Sequence, residues 1–454
     1  MFNFESFFIT NIGDLQMDAV APLNNLCQLI KSSCLLRKHF GNSPILNGLI
    51  KNAEAIDQLA EKLQFDDSDE ALIRIVRQNT DRLHRLCDEW LNTGHFSALP
   101  DEYRLLYAFC CAIRAKFCFV LKDYFLSLRH CDEGLLKGND LEDESLSKFA
   151  AFLCIKFLPP PPEVLELRSE SMGAPNSLPN SVQIVSVEMP ALEEFYNNFY
   201  RPQMPVVIRG MVSGWPAFKK WSFSYLNSLC GHRLVPVELG SKYTDEDWRQ
   251  LLMSFNQYLT EYVFPAVKPT QPGYMAQHRL LDQIPELLAD VPVPDYCVFG
   301  EHSEGESVGG GAVIESDHDL TINAFIGPAG TVSPLHTDPR HNLFCQIRGR
   351  KFVRLISPQS RRALYLYDDL MRQNTSQVDV ECPDFEQFPD FGKIQCHDFV
   401  VEAGQCLFIP RGWFHHVRAL ESSISISIWF GHSARREMAD SEGDSKRTEQ
   451  NSDH

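Results

Sequence analysis

The sequence predicts an α+β chain in which an all-helical N-terminal part precedes an antiparallel β sandwich or barrel. Three observations carry that expectation. Apolar residues recur at helical spacing through the first third, a proline- and serine-rich stretch then breaks the pattern, and beyond it short β-branched runs alternate with turn residues as far as Gly431. With 454 residues the chain exceeds one ordinary core, so two domains and a linker are expected.

The helical part, residues 1–157, is read from three sets at i, i+3, i+4, i+7: Leu23, Leu26, Cys27, Ile30; Ile56, Leu59, Ala60, Leu63; and Leu83, Leu86, Cys87, Trp90. Asp67 followed by Glu70 resembles a helix start ahead of the third set. LKDYFLSLRHCDEGLLKG, 121–138, suggests a repeat-like helical hairpin, but no clean period of about 34 residues recurs, and an irregular helical bundle that binds partner proteins is the favoured reading.

LPPPPEVLELRSESMGAPNSLPNS, 158–181, reads as an interdomain linker. From 182 to 432 the runs VQIVSV, PVVIRG, RLVPVEL, LTINAFIG, NLFCQIRGRKFVRLIS, QCLFIP, HHVRAL and SISISIWF are expected strands. Residues 301–319 look like a polar loop, where His302 and His318 are solvated, and the tail 433–454 lacks large apolar residues and is expected to be disordered.

Lys plus Arg number 42 against 60 Asp plus Glu, a net charge of −18, which argues against nucleic-acid or anionic-membrane partners and favours cationic peptides. The 14 cysteines are scattered in apolar settings and the first residues lack a basic, apolar leader pattern, so a reduced, intracellular protein is expected. No apolar window is long enough to span a membrane.

TVSPLHTDPRHNLF, 331–344, places His336 and Asp338 two apart on a strand-like run, so both side chains leave the same face. An imidazole and a carboxylate converging on one point suit the two-His, one-carboxylate facial triad of non-haem Fe(II). Taken alone, the triplet is better explained by a hydrogen-bonded strand histidine than by a ligand. The third ligand must come from a distant strand, and RGWFHHVRAL, 411–420, offers two histidines. Alternation puts His415 with Val417 and Ala419, a set suited to a barrel interior, and puts His416 with Phe414 and Arg418 outside. NLFCQIRGRKFVRLIS reads as a hairpin around Gly349 in which Lys351 shares a face with Val353 and Leu355. A lysine on an apolar face needs a carboxylate, which a bound dicarboxylate could provide, although an exposed hairpin-end lysine is the simpler explanation. Cys382, Cys396, His397 and Cys406 lack the C-x-x-C spacing of a zinc site.

From about Val182 to Gly431, PVVIRG with WPAFKKW, PLHTDPRHN, IRGRKFVRL and GWFHHVRALESSISISIWF resemble the JmjC-type 2-oxoglutarate-dependent oxygenases. ELGSKYTDEDW, GYMAQHRLLDQIPEL, INAFIGPAGTVSPLH and NTSQVDVE, with the helical N-terminal part, make the chain similar to family members that hydroxylate arginine. The resemblance implies a double-stranded β-helix, or cupin-like jelly roll. It implies Fe(II) held by His336, Asp338 and His415, and 2-oxoglutarate held by Tyr274, Ser333, Asn342 and Lys351, with dioxygen as the second co-substrate. Glu238, Tyr243 and Trp248 match a segment that lines the substrate-arginine pocket of relatives, and Phe325 stands where they carry tryptophan. The implied activity is hydroxylation of arginine side chains in proteins, with N-methyl-lysine or N-methyl-arginine demethylation, including that of histones, on the same site as the rival. A non-catalytic scaffold is a third reading, against which the intact ligand set argues. For proteolysis the sequence shows neither a nucleophile–base pair nor a catalytic zinc motif. The resemblance also implies nuclear residence, with cytoplasmic residence left open.

Overall fold

A computed structural model describes residues 26–41, 43–64, 70–93, 99–166, 171–240, 247–300, 320–369 and 372–431, together with Leu23, Lys242 and Thr244. Asp67, Tyr243, His302, His318 and the tail 433–454 lie outside the described residues. The chain forms two compact units, the first running to Pro161 and including His232–Leu234 and Gln283–Pro285, the second comprising the remainder.

The first unit is built from α1 (Leu26–Ser32), α2 (Cys34–Phe40), α3 (Pro44–Gln64), α4 (Glu70–Leu91), α5 (Asp101–Val120), α6 (Tyr124–Lys137) and α7 (Ser145–Lys156). Ser33 and Asp123 cap α2 and α6 by accepting from the backbone N–H three residues on, and Asp101 and Glu102 place negative charge at the start of α5. Leu106 through Ile113 on α5 are all buried, so this helix has no solvent face there and forms the centre of the bundle. Gly134 on α6 permits a close approach of α6 to α5 and α7, because a Cβ there would stand 2.7 Å from Leu146 and 3.0 Å from Cys111. Asp132, fully buried, accepts from Arg233 Nε at 2.9 Å, the Leu234 N–H at 2.7 Å and Gln283 Nε2 at 2.8 Å, which accounts for the later stretches that join this unit.

The second unit contains β1 (Ser186–Glu188), β2 (Val206–Arg209), β3 (Leu234–Leu239), β4 (Arg249–Ser254), β5 (Gly273–His278), β6 (Thr321–Gly327), β7 (Val332–Thr337), β8 (His341–Arg348), β9 (Lys351–Ile356), β10 (Cys396–Val401), β11 (Cys406–Ile409), β12 (Phe414–Ala419) and β13 (Ser423–Phe430). They form a nine-stranded sheet in the order β1-β2-β11-β8-β13-β6-β5-β3-β4 and a four-stranded sheet in the order β10-β9-β12-β7. Apart from the parallel pair β1 and β2, the pairs whose register is described are antiparallel, as a jelly roll requires. Inward residues of both sheets, Phe344, Val353, Leu355, Leu407, Ile409 and Val417 among them, fill one part of the interior.

The expected hairpin around Gly349 does not form. β8 pairs with β11 and β13 in the larger sheet, whereas β9 pairs with β10 and β12 in the smaller, so the turn at Gly349 carries the chain from one sheet to the other. Gly349 has φ +70°, and a Cβ would meet the Ser422 carbonyl at 2.5 Å, which leaves glycine the only comfortable residue at this corner.

The outer face of the smaller sheet is also covered. Phe414 and Ile356 pack with Leu364, Val378, Phe391 and Ile394, and part of the expected linker lies along the same sheet, with the Met172 N–H on the Leu420 carbonyl and the Leu178 N–H on Asp398. Arg354 and Asp398 form a bidentate pair beneath these segments, at 2.6 and 2.8 Å, both side chains at most 1% exposed. Arg354 also donates to the carbonyls of Asn176 and Val380. Asp398→Ala would leave that guanidinium buried without its counter-charge, and we expect it to lower stability by roughly 3–5 kcal/mol in denaturant unfolding. All fourteen cysteines are thiols, and among the described residues no helix is long and apolar enough to cross a membrane.

Candidate metal centre and its cavity

β12 pairs with β7 so that His415 stands directly opposite His336, the two rings 4.2 Å apart. Asp338 follows β7, with Oδ1 3.8 Å from His336 Nε2 and Oδ2 3.5 Å from His415 Nε2. Each imidazole gives Nδ1 to the carbonyl two residues before it, His336 to Pro334 at 2.7 Å and His415 to Trp413 at 3.2 Å. That contact fixes the tautomer and turns both Nε2 atoms toward Asp338. One donor atom from each of the three side chains lies within 4.8 Å of the others, so His336, Asp338 and His415 could hold one metal ion.

The local backbone explains how this happens. Val417 pairs with Ser333 and His415 with His336, leaving one residue between on β12 against two on β7, so a bulge sits at Pro334–Leu335 opposite His416. The extra residue reverses the alternation and lets Ser333 and His336, an odd number apart, face the same cavity. On the far edge of β7, Thr337 exchanges hydrogen bonds with Asn374, and the Ser376 N–H donates to Leu335. The Gly412 N–H holds the Asp338 carbonyl at 3.0 Å.

The protonation states suit a cation. Burial, with the neighbouring His415 ring, lowers the His336 pKa to about 4, which leaves the imidazole neutral at physiological pH. Burial works to raise the Asp338 carboxyl, but the hydrogen bond and charge of His415, together with His336, hold it below its usual value. A carboxylate converging with two imidazole nitrogens is the donor set of the non-haem iron triad.

The triad lines a cavity of about 80 Å³ together with Glu238, Tyr274, Ser333, Asn342 and Lys351. Lys351 is 1% exposed. Its Nζ lies 3.2 Å from Tyr274 Oη and between 5.3 and 5.7 Å from the ring centres of Phe344, Tyr274 and Phe325, and among the described residues no carboxylate pairs with it. Burial alone brings its pKa down to about 7. A buried ammonium facing hydroxyls and aromatic rings calls for an anion, and the far carboxylate of a dicarboxylate fits that requirement. Ser333 hydrogen-bonds Tyr274, whose hydroxyl burial keeps protonated. Asn342 Oδ1 accepts from Ser427 Oγ at 2.7 Å.

Glu238, on β3, opens on this cavity and on a smaller recess with Lys242, Trp248 and Thr331. Trp248 Nε1 donates to its carboxylate at 3.3 Å. Burial raises the Glu238 pKa, with the indole N–H opposing. Phe325 lies tilted against Tyr274, ring centres 6.2 Å apart and planes at 45°. Sequence reasoning missed Gln277, whose φ of +48° at a β5 irregularity turns it into the cavity wall. It also missed a role for Glu381, which ends the NTSQVDVE stretch but which no periodicity singles out.

His416 and Arg418 lie on the opposite face of β12 from His415, as alternation predicts, but His416 is not solvent-facing. It is 3% exposed and bonds Glu381 through Nε2 at 2.8 Å, beneath the segment that covers this sheet.

Residues 191–436 match a family described as a cupin-like domain. The chain is 36% identical over 396 residues to lysine-specific demethylase 8 of Xenopus tropicalis, covering 75% of this chain and 86% of that protein. It is 32% identical over 376 residues to Jumonji C domain-containing protein 5 of Drosophila melanogaster, covering 78% and 85%, and 26% identical over 267 residues to the bifunctional peptidase and (3S)-lysyl hydroxylase JMJD7 of Homo sapiens, covering 52% and 80%. A jelly roll, a clustered His-Asp-His set and relatives of this length together show that the chain belongs to the JmjC family of cupin-like oxygenases, whose members typically use Fe(II) and 2-oxoglutarate.

Proposed function

We propose that the chain hydroxylates arginine side chains in proteins, with His336, Asp338 and His415 holding Fe(II), and with Lys351, Tyr274, Ser333 and Asn342 holding 2-oxoglutarate. Bound iron and co-substrate supply the oxidation of an unactivated C–H bond by dioxygen, with decarboxylation of 2-oxoglutarate to succinate. The protein's residues bind and orient. Lys351 neutralises the far carboxylate while Tyr274 directs a hydroxyl toward the same point, which leaves the other end of the co-substrate to the triad.

The single observation that favours arginine is Glu238. It is a largely buried carboxylate on the shared cavity with an indole beside it, and among the described residues no cation pairs with it. A guanidinium would supply the charge and the planar donors that this carboxylate lacks, and it would stack on Trp248. The name of the Xenopus relative keeps a second reading in view, demethylation of N-methyl-lysine, in which the hydroxylated methyl leaves as formaldehyde.

Mass spectrometry separates the two. With Fe(II) and 2-oxoglutarate, unmodified arginine peptides should become heavier by one oxygen and methyl-lysine peptides should stay unchanged. Loss of one methylene from methyl-lysine peptides, with arginine peptides untouched, would overturn the arginine assignment. Glu238→Gln should raise the KM for an arginine peptide roughly tenfold to a hundredfold, the worth of one charge-assisted hydrogen bond, while peptide-independent turnover of 2-oxoglutarate stays at the wild-type level.

A further inference from the structure

β12 presents His415 to the cavity and His416 and Arg418 to the other side, where one carboxylate receives both. Glu381 Oε1 accepts from His416 Nε2 at 2.8 Å, its Oε2 pairs with Arg418 Nη1, and its side chain is 14% exposed. Glu381 ends a stretch that begins at Asn374 on the free edge of β7, and the carbonyl of Val380 within it accepts from Arg354 on β9. Residues 374–381 therefore touch three of the four strands of the smaller sheet, including both that carry the triad.

We propose that Glu381 is a positioning residue for the metal centre, holding β12 from its outer face so that His415 stays opposite His336. On its β9 side β12 pairs without a break, His416 opposite Arg354. On the β7 side the bulge at Pro334–Leu335 interrupts the pairing opposite His416, so the ladder between the two strands that carry the triad loses its register next to His415. Glu381 grips the chain at that residue and again two residues on. A ligand set tolerates displacements of only about 0.5 Å before affinity suffers, so an anchor one residue away has leverage on the metal.

This inference rests on the reading of His336, Asp338 and His415 as metal ligands, and Co(II), whose visible absorption reports ligand geometry, tests the two separately. The full-length chain is titrated with Co(II) as wild type, His336→Ala and Glu381→Gln, and the melting temperature of each metal-free protein is measured alongside. Glutamine keeps the size but loses the charge and turns a donor toward His416 or Arg418. Glu381→Gln should weaken Co(II) binding about tenfold, at the low end for residues behind a ligand shell, and should shift the absorption bands. A lowered melting temperature with wild-type affinity and spectrum would show a merely structural role and overturn the inference. Wild type binding no more Co(II) than His336→Ala would bring down the metal-centre reading and the inference with it. Should Glu381→Gln not fold, Arg418→Lys serves, since it keeps the charge but loses the planar fork. A roughly threefold loss of affinity would support the proposal, and unchanged binding would overturn it.

Discussion

Lys351→Met is expected to raise the KM for 2-oxoglutarate roughly a hundredfold while making the protein more stable in the absence of that co-substrate. The two effects share one cause. Lys351 Nζ is buried with a tyrosine hydroxyl and three aromatic rings, and among the described residues it has no counter-charge. Its pKa falls from 10.5 to about 7 through burial alone, so between those values the unfolded chain binds more protons than the folded one, and stability rises with pH. The penalty is fully present at and below about pH 7 and disappears as pH approaches 10.5. Methionine, of similar length and without charge, removes it. The variant should therefore exceed wild type by on the order of a few kcal/mol at pH 7, and the gap should close as pH rises toward the ordinary lysine value. Denaturant unfolding at several pH values without 2-oxoglutarate measures this, and succinate production against 2-oxoglutarate concentration measures the KM. A variant with wild-type dependence on 2-oxoglutarate would place the co-substrate carboxylate elsewhere.

Lys351 also marks how far the sequence reaches. Alternation with Val353 and Leu355 placed it on an apolar face, and the same parity separated His415 from His416, because strand geometry imposes a period of two that needs no tertiary knowledge. Where the backbone departs from that period, the sequence is silent. Ser333 and His336 share the cavity only because of a bulge that nothing local announces, and Gln277 enters its wall through a positive φ that a glutamine pattern does not suggest. The turn at Gly349 has the composition of a hairpin but joins two sheets, since which strands neighbour one another is decided by the whole jelly roll. The covered position of His416 brings it against Glu381, a residue far along the chain whose approach has no periodic trace. Glu238 and the other substrate-side residues stood out only through family resemblance. An acidic residue on a short strand is otherwise unremarkable.

His415→Ala and His416→Ala, one residue apart, should therefore fail in opposite ways. Removing His415 takes one of two nitrogen donors from the centre, and we expect iron-dependent formation of succinate to fall at least about a thousandfold, the loss of several kcal/mol of metal-derived stabilisation. Its ring borders an existing cavity, so truncation opens little new void, and the metal-free protein should stay within about 1 kcal/mol of wild type. His416 is packed on the covered face, and its removal empties a buried site and leaves Glu381 with Arg418 as its remaining partner there. That should cost about 2–4 kcal/mol of stability, yet each folded molecule should keep its three donors and lose no more than about tenfold in turnover, through the loosened hold on β12. Unfolding curves of the metal-free proteins and succinate assays normalised to folded protein separate the two outcomes. The reverse pattern, a silent but stable His416→Ala and an active but fragile His415→Ala, would assign the metal to the other face of the strand. The bulge opposite His416 would then need a different explanation, since its effect is to bring Ser333 and His336 to the same side as His415.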